Sequence, residues 1–334
     1  MASAPRISVI GDGGMGTICA IMLAENGGDV TLWSAFAEQA KRIAAERENK
    51  QFLPDAKLPD NVRVTGDDAE ALADADLAVS AVPTQFVRSV WQRLAQHVRA
   101  VLPICSVAKG IENRTLLRPT EVLADVLGVS AGPLAALSGP SIAPEVAAGL
   151  PATVVVAADD PALAERVQAM ISRPYFRAYT NADLVGVEIA GATKNVVAIA
   201  AGVLDGMGAG DNAKAALVSR GLSEITRLGL AMGASAETFA GIAGVGDLVT
   251  TCISPVGRNR SFGEAIGRGL SVAEAQAAAK GIVEGAATTE SVVALAKRHD
   301  VDMPITRAVH DVLRAGVSPA EAIRGLMTRP LKAE

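Results

Sequence analysis

Residues 7–33, ISVIGDGGMGTICAIMLAENGGDVTLW, decide the fold. Ile7 to Ile10 is a short apolar run that leads straight into GDGGMG, residues 11–16. A helical pattern follows, with Ile18, Ile21, Met22 and Leu23 on or near one face, and Val30 to Trp33 reads as a second strand. Gly11, Gly13 and Gly16 therefore form a G-x-G-x-x-G between a strand and a helix. There the first glycine permits a tight turn and the second lets backbone approach a pyrophosphate. The third lets the helix pack closely on the sheet. The glycine pattern alone is weak, but flanked by strand, helix and strand it points to a dinucleotide-binding fold. The acid that usually holds the adenosine ribose belongs at the end of the second strand. That place reads Ser34-Ala35-Phe36, with no carboxylate to repel a 2′-phosphate and no arginine to clasp one. Either nicotinamide coenzyme is permitted.

Outward from this stretch the alternation continues. Strands are expected at Val62–Thr65, Leu77–Val82, Val101–Val107 and Leu134–Leu137, with later ones at Val154–Ala157 and Phe176–Tyr179. An acidic helix is expected from Asp67 to Ala73, and Thr84-Gln85 opens another. Strands alternating with helices imply an α/β fold, a doubly wound, mainly parallel sheet with helices on both faces. Ligands on such sheets lie at the carboxyl ends of the strands. Lys109 and the loop Ser138-Gly139-Pro140-Ser141 both fall at strand ends, and a lysine there suits a phosphate.

From about Asp183 strands fade and helices dominate, which divides the chain into 1–182 and an all-helical 183–334. GVEIAGATKNVVAIAAG, residues 186–202, reads as a helix of small and apolar residues with one lysine in the middle. On a 3.6-residue period Lys194 shares its face with Val187, Ala190, Gly191, Val197, Ala198 and Ala201, none of them acidic. A buried, unpaired ammonium is costly and tends to lose its proton, which suits proton transfer. A snorkelling lysine with its head in water is the alternative. A glycine-rich linker, Asp205–Gly210, precedes a helix in which Arg220 and Glu224 are spaced as an exposed ion pair. Next, three glycines of GIAGVGDLVTT (241–251) crowd before Asp247, so backbone can approach a ligand there, although an acid at a helix start is equally a cap. Gly257-Arg258-Asn259-Arg260 offers a dense set of donors, and Arg258 and Asn259 suit a phosphate. In GIVEG (281–285) Glu284 is either structural or within reach of a nucleotide amide.

Composition bounds the rest. The 334 residues are half hydrophobic but only 3% aromatic, so Ala, Val, Leu and Ile do the packing. A net charge of −5 argues against a general nucleic-acid or membrane-surface binder. Cys19, Cys105 and Cys252 show neither metal spacing nor a disulfide framework and read as core fillers in a reducing cytoplasm. No metal site is expected. MASAPRISVIG lacks the features of a signal peptide, and no apolar run is expected to reach the ~20 residues of a membrane span. His97, His299 and His310 lie on helical segments heavy in Ala, Val and Leu and read as surface or packing residues.

Together these residues resemble the bacterial NAD(P)-dependent glycerol-3-phosphate dehydrogenase family. The similarity runs nearly end to end through GDGGMGT, AVPTQ, VAKGIE, LSGPSIAPEVAAGLP, GVEIAGATKNVVAIAAGVLDG, GVGDLVTTC, GRNRSFG and GIVEG, in family order and spacing. The resemblance implies a Rossmann-like domain joined to an all-helical domain and reversible, NAD(P)H-dependent reduction of dihydroxyacetone phosphate to sn-glycerol 3-phosphate. It also implies a cytoplasmic and often dimeric enzyme whose product supplies glycerophospholipid synthesis. By the same resemblance Lys194 is the proton donor and acceptor. Lys109, Gly139, Ser141, Asp247, Gly257, Arg258 and Asn259 match substrate contacts. Gly14, Met15, Ala35, Lys109, Ala143, Arg258, Ile282 and Glu284 match cofactor contacts beside Gly11, Gly13 and Gly16. Two positions depart from the pattern. Gly257 stands where the family usually has serine, so only its backbone N–H remains to bind, and Ala35 stands where many members place a basic or hydrogen-bonding side chain. Two other readings share some of these features: a related dehydrogenase of hydroxy acids or hydroxyacyl substrates, which the Arg258-Asn259 pair disfavours, and a non-catalytic nucleotide sensor, which has no use for Lys194.

Overall fold

The computed structural model describes residues 4–128, 131–279 and 281–331, so the first three residues of MASAPRISVIG lie outside it. The chain divides into two compact units, one of residues up to 109 together with 117–187, the other of 110–116 together with 188 onward.

The first unit is built on a sheet of eight strands. These are β1 (Arg6–Ile10), β2 (Asp29–Trp33), β5 (Val62–Thr65), β6 (Leu77–Ser80), β7 (Leu102–Ser106), β8 (Ala131–Ser138), β9 (Ala152–Ala158) and β10 (Phe176–Asn181). Their order is β10-β9-β8-β7-β6-β1-β2-β5. All neighbours are parallel except β8 and β9. Residues 2–5 of β1 are buried, as expected of a strand covered on both faces. One face packs Ile18 and Met22 of the helix Gly14–Glu25 and Val167 of Pro161–Ile171 on Val9, Leu32 and Val156. On the other, Trp91 of Thr84–Leu94 and Val122 and Leu123 of Pro119–Leu127 pack on Ile10, Ala78 and Ile104. The winding direction reverses between β1 and β6, and this is the switch point where such sheets bind nucleotides. A short antiparallel pair, β3 (Glu48–Asn49) and β4 (Leu53–Lys57), was not legible in the sequence. Two residues are too few to show a period, and β4 carries Pro54 and a positive φ at Asp55. The strand expected over Leu77–Val82 stops at Ser80, because Val82 leads into Pro83 at the start of the next helix.

Among the described residues the second unit is helical. Its axis is the lysine helix, which runs from Leu184 to Gly206 and is longer than the sequence pattern suggested. At 23 residues, with an 18-residue window of mean hydropathy 1.5, it is long and apolar enough to cross a membrane, contrary to the expectation of no such run, but 89% of that window is buried within the protein. Alanine and glycine make it narrow enough to be surrounded. A Cβ at Gly202 would stand 1.9 Å from Arg260 O, and one at Gly263 would stand 2.0 Å from Ile199 O. The lysine helix and the helix Arg258–Gly267 thus cross backbone on backbone. Gly263→Ala is expected to cost at least the ~1–3 kcal/mol typical of overpacking, since the atom it meets is main chain that no rotamer can move aside. Urea denaturation measures that loss directly.

Two expectations about this unit are corrected. Asp205, assigned to a glycine-rich linker, is helical and forms ion pairs with Lys214 and, at 2.6 Å, with Arg260. Glu224 is not half of an exposed pair with Arg220. It is 2% exposed on the helix Asp211–Ala231 and accepts from Ile305 N at 2.6 Å and Thr306 N at 3.1 Å. Those amides open the helix Pro304–Arg314, so the carboxylate satisfies donors that the helix start leaves over. Burial pushes its pKa up, while these bonds pull it back.

Candidate active site

In the first unit the glycine loop has the form its sequence requires. Gly11 has φ +112°, and a Cβ there would press on Ala81 O at 2.7 Å. At Gly16 a Cβ would fall 1.9 Å from Gly11 O, so the helix can approach the strand only without a side chain. Around Gly13 no heavy atom lies within 4 Å of the Cβ position, which leaves backbone open to a ligand. Gly13 is the N-cap of Gly14–Glu25, whose first turn holds no acid, so its amides and dipole favour an anion. The residues present fit the pyrophosphate of a dinucleotide. Ala143 flanks the loop, its Cβ 3.6 Å from the Cβ position of Gly14, and Met15 is half-buried beside it. A brace that sequence reading did not find is Asn49, whose Nδ2 donates to Asp12 O at 2.6 Å and Thr17 Oγ1 at 2.8 Å. No local signal marks it, because its role depends on the short β3–β4 pair.

Lys109 and the β8 loop meet, as strand ends should. Lys109 Nζ donates to Gly139 O at 2.9 Å, and Ser141 Oγ donates to the same oxygen at 3.0 Å. Gly139 has φ +130°, in the region that favours glycine, which turns this carbonyl toward both donors. Ala35 is half-buried just past β2.

In the second unit Lys194 is 6% exposed and Asp247 2%. The ammonium donates to Asp247 Oδ1 at 2.6 Å and to Thr251 Oγ1 at 2.6 Å. The lysine is therefore not the unpaired charge its own helix suggested. Its countercharge comes from the start of the helix Asp247–Ile253, 53 residues away in sequence. A buried ammonium needs such a partner. Thr251 was quoted within a motif but not singled out. It stands four residues after Asp247 on the same helix face, donates to Asp247 O at 2.7 Å and leaves its oxygen to the lysine. The turn Ile242–Gly246 winds to Asp247 through Gly244, where a Cβ would meet Phe239 O at 2.1 Å. Burial pushes the nearby Cys252 thiol up to about 12, so it stays protonated and inert.

The Arg258–Asn259 pair opens its helix against the turn at residues 281–285. Arg258 is exposed, and its Nη1 lies 3.4 Å from the Cβ position of Gly281. Ile282, 42% exposed, follows, and Glu284 begins the helix Glu284–Arg298. Asn259 Oδ1 accepts from Gly285 N at 2.9 Å, which leaves its amide nitrogen as the end that can donate to a ligand. Gly285 in turn packs on the residue after Lys194, because a Cβ there would stand 2.6 Å from Asn195 O. Lys194, Asn259 and the 281–285 turn are thereby fixed to one another within the unit. The Gly257 amide, expected to face a ligand, donates to Ser254 O at 3.3 Å. The segment 110–116 joins the same unit: Asn113 Nδ2 donates to Glu290 at 3.1 Å and Ser291 Oγ to Ile111 O at 3.1 Å. A separate apolar cavity of about 550 Å³ is walled by Val203, Leu217, Ile305, Val312 and Leu326, and neither Lys194 nor Asp247 lines it. No group of His, Cys, Asp and Glu among the described residues could hold a metal ion.

Comparison with known proteins identifies the family. The family model for the NAD-dependent glycerol-3-phosphate dehydrogenase N-terminus matches residues 6–164, and that for the C-terminus of the same family matches 183–324. A protein of Streptomyces avermitilis named glycerol-3-phosphate dehydrogenase [NAD(P)+] is 47% identical over 337 residues, covering 100% of this chain and 99% of its own. The crystal structure of glycerol-3-phosphate dehydrogenase from Coxiella burnetii is 36% identical with a TM-score of 0.94, covering 98% of this chain and 100% of that one. That of the Saccharomyces cerevisiae enzyme is 28% identical with a TM-score of 0.82, covering 96% and 99%. D-mandelate dehydrogenase, at 14% identity and a TM-score of 0.62, shares the fold alone. With both family models matched in order and relatives aligned along nearly its full length, the chain belongs to the NAD-dependent glycerol-3-phosphate dehydrogenase family.

Proposed function

We propose that the protein reduces dihydroxyacetone phosphate to sn-glycerol 3-phosphate, reversibly, with NADH or NADPH. The observation that carries this reading is the buried Lys194–Asp247–Thr251 cluster in a chain of this family. When bound, the reduced nicotinamide supplies the hydride. As the ketone is reduced, negative charge develops on its oxygen, and Lys194, as an ammonium, delivers a proton there. In the reverse direction the neutral amine removes it. General acid–base help of this kind contributes about 10²–10⁴-fold. Asp247 and Thr251 hold the amine in one orientation, so the lysine spends little entropy in reaching the oxygen. Arg258 and the Asn259 amide bind the phosphate, with Lys109 and Ser141 as further contacts beside Gly139. Gly257 is a weaker candidate, since its hydroxyl is lost and its amide already serves a turn. The dinucleotide lies along Gly11, Gly13, Gly14, Met15 and Gly16, with Ala35, Ala143, Ile282 and Glu284 as flanking contacts. We read residues 1–182 as the nucleotide domain and 183–334 as the substrate domain of a cytoplasmic homodimer that supplies glycerophospholipid synthesis.

The test is direct. Reduced-nicotinamide absorbance is followed with dihydroxyacetone phosphate and each coenzyme in turn. Rapid oxidation that depends on this substrate is expected. Oxidation only with a hydroxy-acid or hydroxyacyl counterpart, or none at all with correctly folded protein, would refute the proposal.

A further inference from the structure

The helix Pro319–Met327 is closed at its start by a capping box of Ser318 and Glu321, yet none of its residues is buried. Its apolar side chains Ile323, Leu326 and Met327 line the cavity of about 550 Å³ instead of packing shut against the unit. The facing walls are Val203 of the lysine helix, Leu217 of Asp211–Ala231 and Val309 of Pro304–Arg314. This volume lies within the ~300–1,000 Å³ of small-molecule sites, which are mainly apolar with a few placed polar groups.

Those polar groups gather toward one end. Leu217, Arg220, Glu224 and Arg227 share one face of Asp211–Ala231 and all line the cavity. Arg227 Nη2 donates to Asp302 O at 2.8 Å, which orients the guanidinium without neutralising it. Arg329, also in the lining, donates to Asp302 Oδ2 at 2.7 Å, and Arg307 bonds the other oxygen of that carboxylate. Three guanidinium groups thus meet at a residue with one carboxylate. Glu224, the acid in the lining, is spent on the amides of Ile305 and Thr306. Positive charge is therefore in excess at this end. Leu217 lies ~15 Å back from Arg227, at about 1.5 Å of helix rise per residue. Leu313 and Pro319 stand at that same remote end, because Asp302 precedes the helix of one and Arg329 follows the helix of the other.

We propose that this cavity is a binding site for a single-chain acyl anion, with the chain lying along Leu217, Val309 and Leu326 and the acidic head at Arg227 and Arg329. Burial of the chain supplies affinity, and charge-assisted bonds to the guanidinium groups fix which way it enters. A concave space with charge at one end suits a ligand with one apolar and one acidic end. A two-fold contact between copies needs a surface complementary to itself. Neither Lys194 nor Asp247 lines the cavity, so the inference stands apart from the proposed reaction.

Calorimetric titration of the full chain with laurate and with dodecyl phosphate, each below its micelle concentration, tests this, with dodecanol as the uncharged counterpart. One-to-one binding of an anion is expected, and the tighter of the two names the head group as carboxylate or phosphate. Dodecanol is expected to bind at least about tenfold more weakly, the loss of one charge-assisted hydrogen bond. Arg227→Gln should weaken the anions by about the same factor and leave dodecanol unchanged. Ala216→Phe fills the cavity from an exposed helix position and should remove binding of all three. The proposal is overturned by native protein that binds neither anion, by dodecanol bound as tightly as the anions, or by binding that survives Ala216→Phe. A native dimer that Ala216→Phe splits, with no anion bound, would give the cavity to a second copy of the chain instead.

Discussion

Lys194→Ala is expected to lower kcat by at least the ~10²–10⁴-fold typical of a lost general acid. Nucleotide affinity should change little, because the dinucleotide loop belongs to the other compact unit. The physical basis is the position of the amine, 6% exposed and bonded at 2.6 Å to both Asp247 and Thr251. Removing it strands the Asp247 carboxylate, and breaking a buried ion pair from one side costs about 3–5 kcal/mol. That loss threatens folding, so Lys194→Gln is the control. Its amide can still donate to Asp247 while being unable to exchange a proton at neutral pH. Steady-state rates and calorimetric binding of NADH decide the matter. Near-native turnover in a folded Lys194→Gln enzyme would remove the lysine from the chemistry. Turnover lost together with all nucleotide binding would make it a structural residue.

Arg258→Ala is expected to raise the KM for dihydroxyacetone phosphate by about 10- to 100-fold, which corresponds to the loss of one charge-assisted hydrogen bond at ~1.5–3 kcal/mol. Stability should hardly change, because Arg258 is exposed. Substrate saturation curves with a phosphorylated and a non-phosphorylated ketone separate the possible outcomes. A rise confined to the phosphorylated substrate supports a phosphate grip. An unchanged KM assigns the arginine to solvent. Arg260, two residues on, should behave in the opposite way, since it is bound to Asp205 at 2.6 Å and serves packing.

The nucleotide half was legible from sequence because its signals are local. A glycine at φ +112° and one whose Cβ would lie 1.9 Å from a carbonyl are demands of the backbone, and apolar runs buried on both faces announce a parallel sheet without any partner. The Lys109–Gly139–Ser141 cluster was legible for the same reason, since strand ends of one sheet converge wherever the chain forms it.

What stayed hidden depends on groups that meet only after folding. Asn49 braces the glycine loop from a pair of strands too short to show a period. Glu224 looked like half of a surface pair because its i−4 neighbour is an arginine, yet it caps a helix that begins 80 residues later.

The sequence alone determined the doubly wound sheet, the helical second half and the candidate residues themselves, since backbone dihedral demands, periodicity and residue chemistry are written in short windows. Only the tertiary structure decided which charge answers which. Lys194 has no acid on its own helix face and finds Asp247 on another helix. Coulomb and hydrogen-bond terms fall off within a few ångströms of space, whatever the separation along the chain, so their pairing is a property of the packed molecule.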